Sequence, residues 1–355
     1  MNWLLIFFPA AIALEILAPG RHLLIFIASG LAIVPLAGWM GRATEHLAER
    51  MGEGVGGLLN ATFGNAAEMI IAIAALRAGQ FEIVKASIAG SIIGNILLVL
   101  GAAMLLGGAR RSEQRYNAAG ARSQATLLTI AAIALVVPAA YRAAAGGETI
   151  PEIAPLSLAV SIVLLALYAL NLWFSLGTHP QLFAGEPRAE EPGAAPAVHW
   201  SIRKSGGILA LATVGVAVMS EILVAAIDPA AESMGLNDAF VGVFVVAVLG
   251  NAAEHATAVT AAMKDRMDLS LSIAIGSSVQ VALFVAPLLV ILSYAIAPAP
   301  MDLVFSGGLV LSVLLAVLIT GQVAGDGRSD WLRGVQLLAV YVLLAIAYYF
   351  IPVSP

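Results

Sequence analysis

Gly64-Asn65-Ala66-Ala67-Glu68 recurs as Gly250-Asn251-Ala252-Ala253-Glu254, each copy inside a long apolar stretch where an ionisable side chain is costly. A Gly-Ser pair follows each copy at the same distance, Gly90-Ser91 and Gly276-Ser277, so one ungapped shift of 186 residues superposes both motifs. The chain therefore reads as an internal duplication that carries paired intramembrane carboxylates.

Working outward, hydrophobic residues make up 61% of the 355 and charged residues 11%, and the apolar runs reach the roughly 20 residues that cross a bilayer core as helix. Runs such as 153–176 are apolar all round, which excludes the period-two alternation of a transmembrane β-barrel. The expected fold is an all-α polytopic membrane protein embedded in the lipid bilayer. Apolar segments fall at 3–18, 22–41, 56–78, 84–107, 123–141, 153–176, 206–227, 238–263, 269–295, 302–323 and 333–352, about eleven helices in all. This divides the chain into an extra N-terminal helix (1–20), a first five-helix repeat (21–177), a polar linker (178–205) and a second five-helix repeat (206–355). An odd number of helices per repeat inserts the two halves upside down relative to each other.

Loops that share a side with the N-terminus hold 13 of the 17 Lys and Arg residues, against 4 opposite (Arg21, Arg77, Lys85 and Arg142). By the positive-inside rule the N-terminus is cytoplasmic and the C-terminus outside; the expected location is a prokaryotic plasma membrane. The start Met1-Asn2-Trp3-Leu4-Leu5 lacks the basic n-region of a signal peptide, so it reads as a retained helix. No basic tract points to nucleic acid. With no cysteine, thiolate metal sites and thiol chemistry are excluded, and any metal is held by oxygen or histidine. His22, His46, His179, His199 and His255 are dispersed without ligand spacing, and no nucleotide motif or Ser-His pair points to an enzyme. No cofactor is expected.

On a helix, Asn65 and Glu68 share a face, as do Asn251 and Glu254, and the glycine before each pair permits an opened turn. Ser91 and Asn95 lie four apart in the next segment; Ser277 and Gln280 lie three apart in its counterpart. Each half thus offers one acid and several neutral oxygens, the donor set of a hard cation such as Ca2+, which takes six to eight oxygen ligands. A single Gly-Asn pair would serve equally as a close helix contact. Two uncompensated glutamates, at roughly 2.5–3.5 kcal/mol each, would cost about 5–7 kcal/mol, which argues for a functional site. Two ionised glutamates with one divalent cation are neutral, and so are two protonated glutamates. If only neutral states cross, cation and protons alternate, and uncoupled return is suppressed roughly 10⁴–10⁵-fold.

Secondary candidates are Thr44-Glu45 near the end of the second segment and Ser220-Glu221 near the end of the seventh, read either as a cation-access or gating pair or as solvated helix ends. His255, beside Glu254, reads as a proton relay or a hydrogen-bonded intramembrane histidine. Glu15, outside the repeat, faces a neighbouring helix or a contact between copies in a homo-oligomer. Lys264-Asp265-Arg266 and Arg110-Arg111 mark the cytoplasmic interface, and Glu186, Glu190 and Glu191 form a solvated acidic stretch of the linker.

These residues resemble the Ca2+/cation antiporter superfamily, specifically its cation/proton exchanger branch. The resemblance rests on Ala43-Thr44-Glu45, the run Gly56 to Glu68, Gly90-Ser91-Ile92-Ile93-Gly94-Asn95, Ser220-Glu221, Gly250 to His255 and Gly276-Ser277-Ser278-Val279-Gln280. It implies a cation site near the midplane centred on Glu68 and Glu254, lined by Asn65, Asn251, Ser91, Asn95, Ser277 and Gln280. It also implies that the second and seventh helices move to alternate access. Sodium/calcium exchangers of the same superfamily typically carry a further acid in the Gly-Ser-Asn region, where this chain has neutral Asn95 and Gln280. The expectation is therefore exchange of Ca2+ for protons, with sodium- or potassium-coupled exchange on the same scaffold as the alternative. A passive channel or an intramembrane enzyme fits less well.

Overall fold

The computed structural model describes residues 2–51, 56, 58–59, 62–146, 152–182 and 200–351. Within them the chain forms apolar helices linked by short turns: α1 (Asn2–Leu17), α2 (His22–Met51), α3 (Ala66–Arg77), α4 (Phe81–Gly108), α5 (Ala118–Ala144), α6 (Ile153–Thr178), α7 (Ile202–Met234), α8 (Asp238–Met263), α9 (Met267–Ile296), α10 (Gly307–Ala324) and α11 (Trp331–Tyr349). Nine of them, all but α1 and α3, are long and apolar enough to cross a membrane. A two-residue ladder, β1 (Gln114–Arg115) against β2 (Arg328–Ser329), is the strand pairing among the described residues. Most of the linker expected at 178–205, with Glu186, Glu190 and Glu191, lies outside the described residues.

Several helix ends are set by capping residues rather than by the edges of the apolar runs. Asn117 Oδ1 accepts from the backbone N–H groups of Ala119 and Gly120 to start α5, and Asp330 Oδ1 accepts from those of Leu332 and Arg333 to start α11. Gly235, at φ 66°, ends α7 in the left-handed conformation. α2 extends to Met51, past the expected end at residue 41, and α7, stopped by Gly235, extends to Met234, past residue 227. Thr44-Glu45 and Ser220-Glu221 thus sit inside long helices rather than near their ends. Lys85, counted from sequence among loop cations, lies within α4 and is buried. Its Nζ is 2.7 Å from Asp302 Oδ1 and 3.2 Å from Glu82 Oε1, and this pairing makes its burial tolerable.

The helices are graded from centre to rim. In α4, 83% of the apolar window is buried, against 28% in α5 and α6 and 17% in α11, whose exposed Leu, Ile and Val side chains form the lipid-facing surface. The long helices α2 and α7 pack along each other, and α1 lies on α2. Glycine brings the backbones of α4 and α8 together: a Cβ on Gly90 of α4 would stand 2.5 Å from the Val243 backbone, and one on Gly242 of α8 would stand 2.5 Å from Ala86 Cβ.

Candidate functional site

The first Gly-Asn motif does break its helix. Gly64 and Asn65 form a turn between helical residues 62–63 and α3, which places Asn65 at the N-cap and Glu68 in the first turn. The second copy stays helical through Gly250 and Asn251, and its irregularity comes earlier, as a π turn over Val241–Val246. Two further π turns occupy matching positions of the duplication, Gly94–Val99 after Ser91 and Val281–Val285 after Gln280. Such turns widen a helix locally and re-aim its side chains.

Two hydrogen-bonded chains result. Ser91 Oγ donates to Glu68 Oε1 (2.8 Å) and accepts from Asn251 Nδ2 (3.1 Å). In the other chain Asn65 Nδ2 donates to Gln280 Oε1 (2.6 Å), and Ser277 Oγ donates to Asn65 Oδ1 (2.6 Å) while accepting from Asn95 Nδ2 (3.2 Å). His255 Nε2 lies 3.1 Å from Asn95 Oδ1, which assigns the ring proton to Nε2. Of these six bonds, all but the one between Ser91 and Glu68 join residues before 178 to residues after 205. The polar centre is thus a joint between the two halves of the chain. Asn65, Glu68, Ser91, Asn95, Asn251 and Ser277 are buried there.

Not every oxygen is paired. Glu68 Oε2, Glu254 Oε2, Asn251 Oδ1 and Thr44 Oγ1 are buried without a hydrogen-bond partner among the described residues, and all four residues line one cavity of about 1080 Å³. Four buried acceptor oxygens with no donor are expensive unless a cation, a proton or water meets them. Among the described residues no group of three or more His, Asp or Glu gathers, so the acidic part of this site is the pair Glu68 and Glu254.

The remaining sequence candidates separate. Asn65, Ser277 and Gln280 line the cavity with the glutamates, and Thr44 and exposed Glu45 line it as well. Ser91, Asn95 and His255 stand behind the wall in the hydrogen-bonded chains. Ser220 is buried and donates to Val216 O (2.7 Å), and Glu221 is exposed and pairs with Arg77 Nη1 at 3.3 Å, so neither borders the cavity. Gln124 of α5 and Tyr168, Asn171 and Ser175 of α6, none of them in the duplicated motifs, complete the wall. They occur once, so the duplication does not mark them. The available signal was a polar residue interrupting an apolar run, as in Leu170-Asn171-Leu172.

The family of sodium/calcium exchanger proteins matches residues 21–177 and 204–350. The chain belongs to this family. A Ca(2+)/H(+) antiporter of Synechocystis sp. is 46% identical over 98% of this chain and 96% of that protein, and the Ca(2+)/H(+) antiporter ChaA of Bacillus subtilis is 42% identical over 89% of each. The solved structure of native YfkE superposes with a TM-score of 0.82 at 37% identity, covering 98% of this chain and 100% of that one. As a member of the exchanger family, the chain is an integral membrane protein of transporter type.

Proposed function

We propose that this protein is a secondary active antiporter that exchanges Ca2+ for H+, with Glu68 and Glu254 as the shared binding groups for both ions. The reading rests on the buried, donor-free oxygens of these two carboxylates and of Asn251 and Thr44 in one cavity, and on the names of close relatives. Ca2+ and protons are its substrates, and the cycle uses no cofactor.

Charge balance supplies the coupling. One Ca2+ between two ionised carboxylates leaves the buried centre neutral, and two protons do the same, whereas the empty dianion bears the full desolvation cost. The centre therefore passes between faces when loaded with one substrate or the other. Asn65, Ser277 and Gln280 hold each other's polar groups and fix the wall, while Ser91 steadies Glu68 Oε1 and leaves Oε2 for the ion. The cavity reaches Arg42, Lys264 and Arg266, all on the side rich in Lys and Arg, so the cavity faces the cytoplasm and the N-terminus is cytoplasmic. On the far side Gly90 against Val243, Gly242 against Ala86, and the Arg77–Glu221 and Gln80–Asp228 contacts form the closure.

The test is Ca2+ flux in sodium-free proteoliposomes under an imposed pH gradient, with Glu254→Gln as matched control. Uphill Ca2+ movement that disappears when the gradient is collapsed, and in the variant, is the expected result. Flux that starts only on addition of sodium or potassium would reassign the counter-ion.

A further inference from the structure

The wall of the cavity carries three carboxylates, Glu45, Glu68 and Glu254, and three cations, Arg42, Lys264 and Arg266. They are segregated by depth: Glu68 is buried, whereas Glu45, Arg42, Lys264 and Arg266 are exposed and therefore stand toward the mouth. Arg42 donates through Nε to Gly38 O at 3.2 Å and lies over the Trp39 ring at 5.1 Å, and Glu45 follows it by three residues on the same helix face. Asp265, between the other two cations, accepts from Gln114 Nε2 at 3.0 Å and lies 3.7 Å from Arg111 Nε, so its charge is matched away from the cavity. Lys264 and Arg266 have no side-chain hydrogen bond or ion pair among the described residues. They are a surplus of two positive charges at the opening of a path for a divalent cation. A cleft between low-dielectric walls concentrates such a field rather than dispersing it.

We propose that Lys264 and Arg266 form an electrostatic threshold at the cavity mouth, which lowers the capture of divalent cations more steeply than that of monovalent ones and so sets the cytosolic Ca2+ level at which exchange begins. The potential acts on Ca2+ with twice the weight that it has on a proton or a sodium ion, because the interaction energy scales with ionic charge. The surplus therefore slows the entry of each Ca2+ ion more than the entry of each proton or sodium ion. Screening removes this penalty on entry, since the Debye length falls from about 30 Å at 0.01 M to below 10 Å above 0.1 M salt. This inference rests on the antiport reading and adds to it the residues that tune access.

The experiment is initial-rate 45Ca2+ uptake into vesicles with the cavity face outward, across an ionic-strength series made with a large organic salt. It compares the wild-type protein, the double variant Lys264→Gln/Arg266→Gln and the charge-keeping Lys264→Arg/Arg266→Lys. Wild-type uptake at one fixed ionic strength tests antiport by itself, and the salt and variant dependences test the threshold. The expected result is a wild-type apparent KM that falls as salt rises, and a neutral variant whose KM is about five-fold lower at 10 mM ionic strength and converges with wild type at high salt. The charge-keeping variant follows the wild-type curve. A wild-type KM that rises with salt, or a neutral variant with unchanged or higher KM at low salt, overturns the proposal. So does a charge-keeping variant that behaves like the neutral one, because that would assign the effect to packing.

Discussion

Glu68 is seated on Gly250: a Cβ added to that glycine would stand 3.2 Å from Glu68 Cγ. The acid of one motif thus rests on the glycine of the other copy, and a methyl group there would push the Glu68 side chain aside by a few tenths of an ångström. Gly250→Ala is expected to lower Ca2+ transport at least ten-fold while moving the thermal unfolding midpoint by only a few degrees, because Glu68 yields more readily than the helix backbone. Gly94→Ala is the control, since nothing lies within 4 Å of its Cβ position. Equal damage from both substitutions would show that the contact between Gly250 and Glu68 is incidental.

Ser91 serves two partners at once. Replacing it with alanine strips Glu68 Oε1 of its donor and Asn251 Nδ2 of one of its two acceptors, the other being Ala247 O at 3.0 Å. The buried carboxylate oxygen left without a donor costs about 1–3 kcal/mol. Ser91→Ala should therefore unfold at lower temperature in detergent and bind Ca2+ more weakly, and Ser91→Thr, which keeps the hydroxyl, should restore both. Thermal stability with and without Ca2+ measures this.

Protons and Ca2+ compete for the same two carboxylates, which fixes the sign of the pH dependence. Lowering the pH on the cavity face raises the apparent KM for Ca2+, because the protonated pair must release its protons before the metal binds. With two protons displaced per ion, the limiting rise is about 100-fold per pH unit. A KM that is flat between pH 6 and 8 in sodium-free vesicles would separate proton binding from these glutamates.

The closed side invites a steric test. A Cβ at Gly90 would meet the Val243 backbone at 2.5 Å, so Gly90→Ala forces α4 and α8 apart, at roughly 1–3 kcal/mol. Since the chain has no cysteine, single cysteines introduced at Ala86 and at Ser272 report access on each face without background. Gly90→Ala is expected to speed labelling at Ala86→Cys and leave Ser272→Cys unchanged.

Much of this was legible in the residues. The repeated Gly-Asn-Ala-Ala-Glu placed both acids, and the Gly-Ser pairs placed Ser91 and Ser277, because polar groups that stay in an apolar helix must find partners there. The helix bounds were less legible, since hydropathy stops at the last apolar residue while Asn117, Asp330 and Gly235 decide where helices start or stop. Lys85 was misassigned because a buried ion pair needs Asp302, a partner more than 200 positions away. Gln124 and Asn171 escaped because single polar residues carry no repeat to flag them. The π turns left no trace in composition, as they depend on how neighbouring helices pack.

The hydrogen bonds that bridge the halves bear on how the protein is made. Synthesis delivers Asn65, Glu68, Ser91 and Asn95 to the membrane well before Asn251, His255, Ser277 and Gln280 exist. The nascent first half must hold an amide-rich, acid-bearing interior in lipid with its later partners still on the ribosome. Ser91 can satisfy Glu68 Oε1 alone, but Asn65 and Asn95 wait for the second half. A truncated chain ending in the linker would thus expose a polar seam to the bilayer, a mark by which membrane quality control distinguishes half a transporter from a whole one.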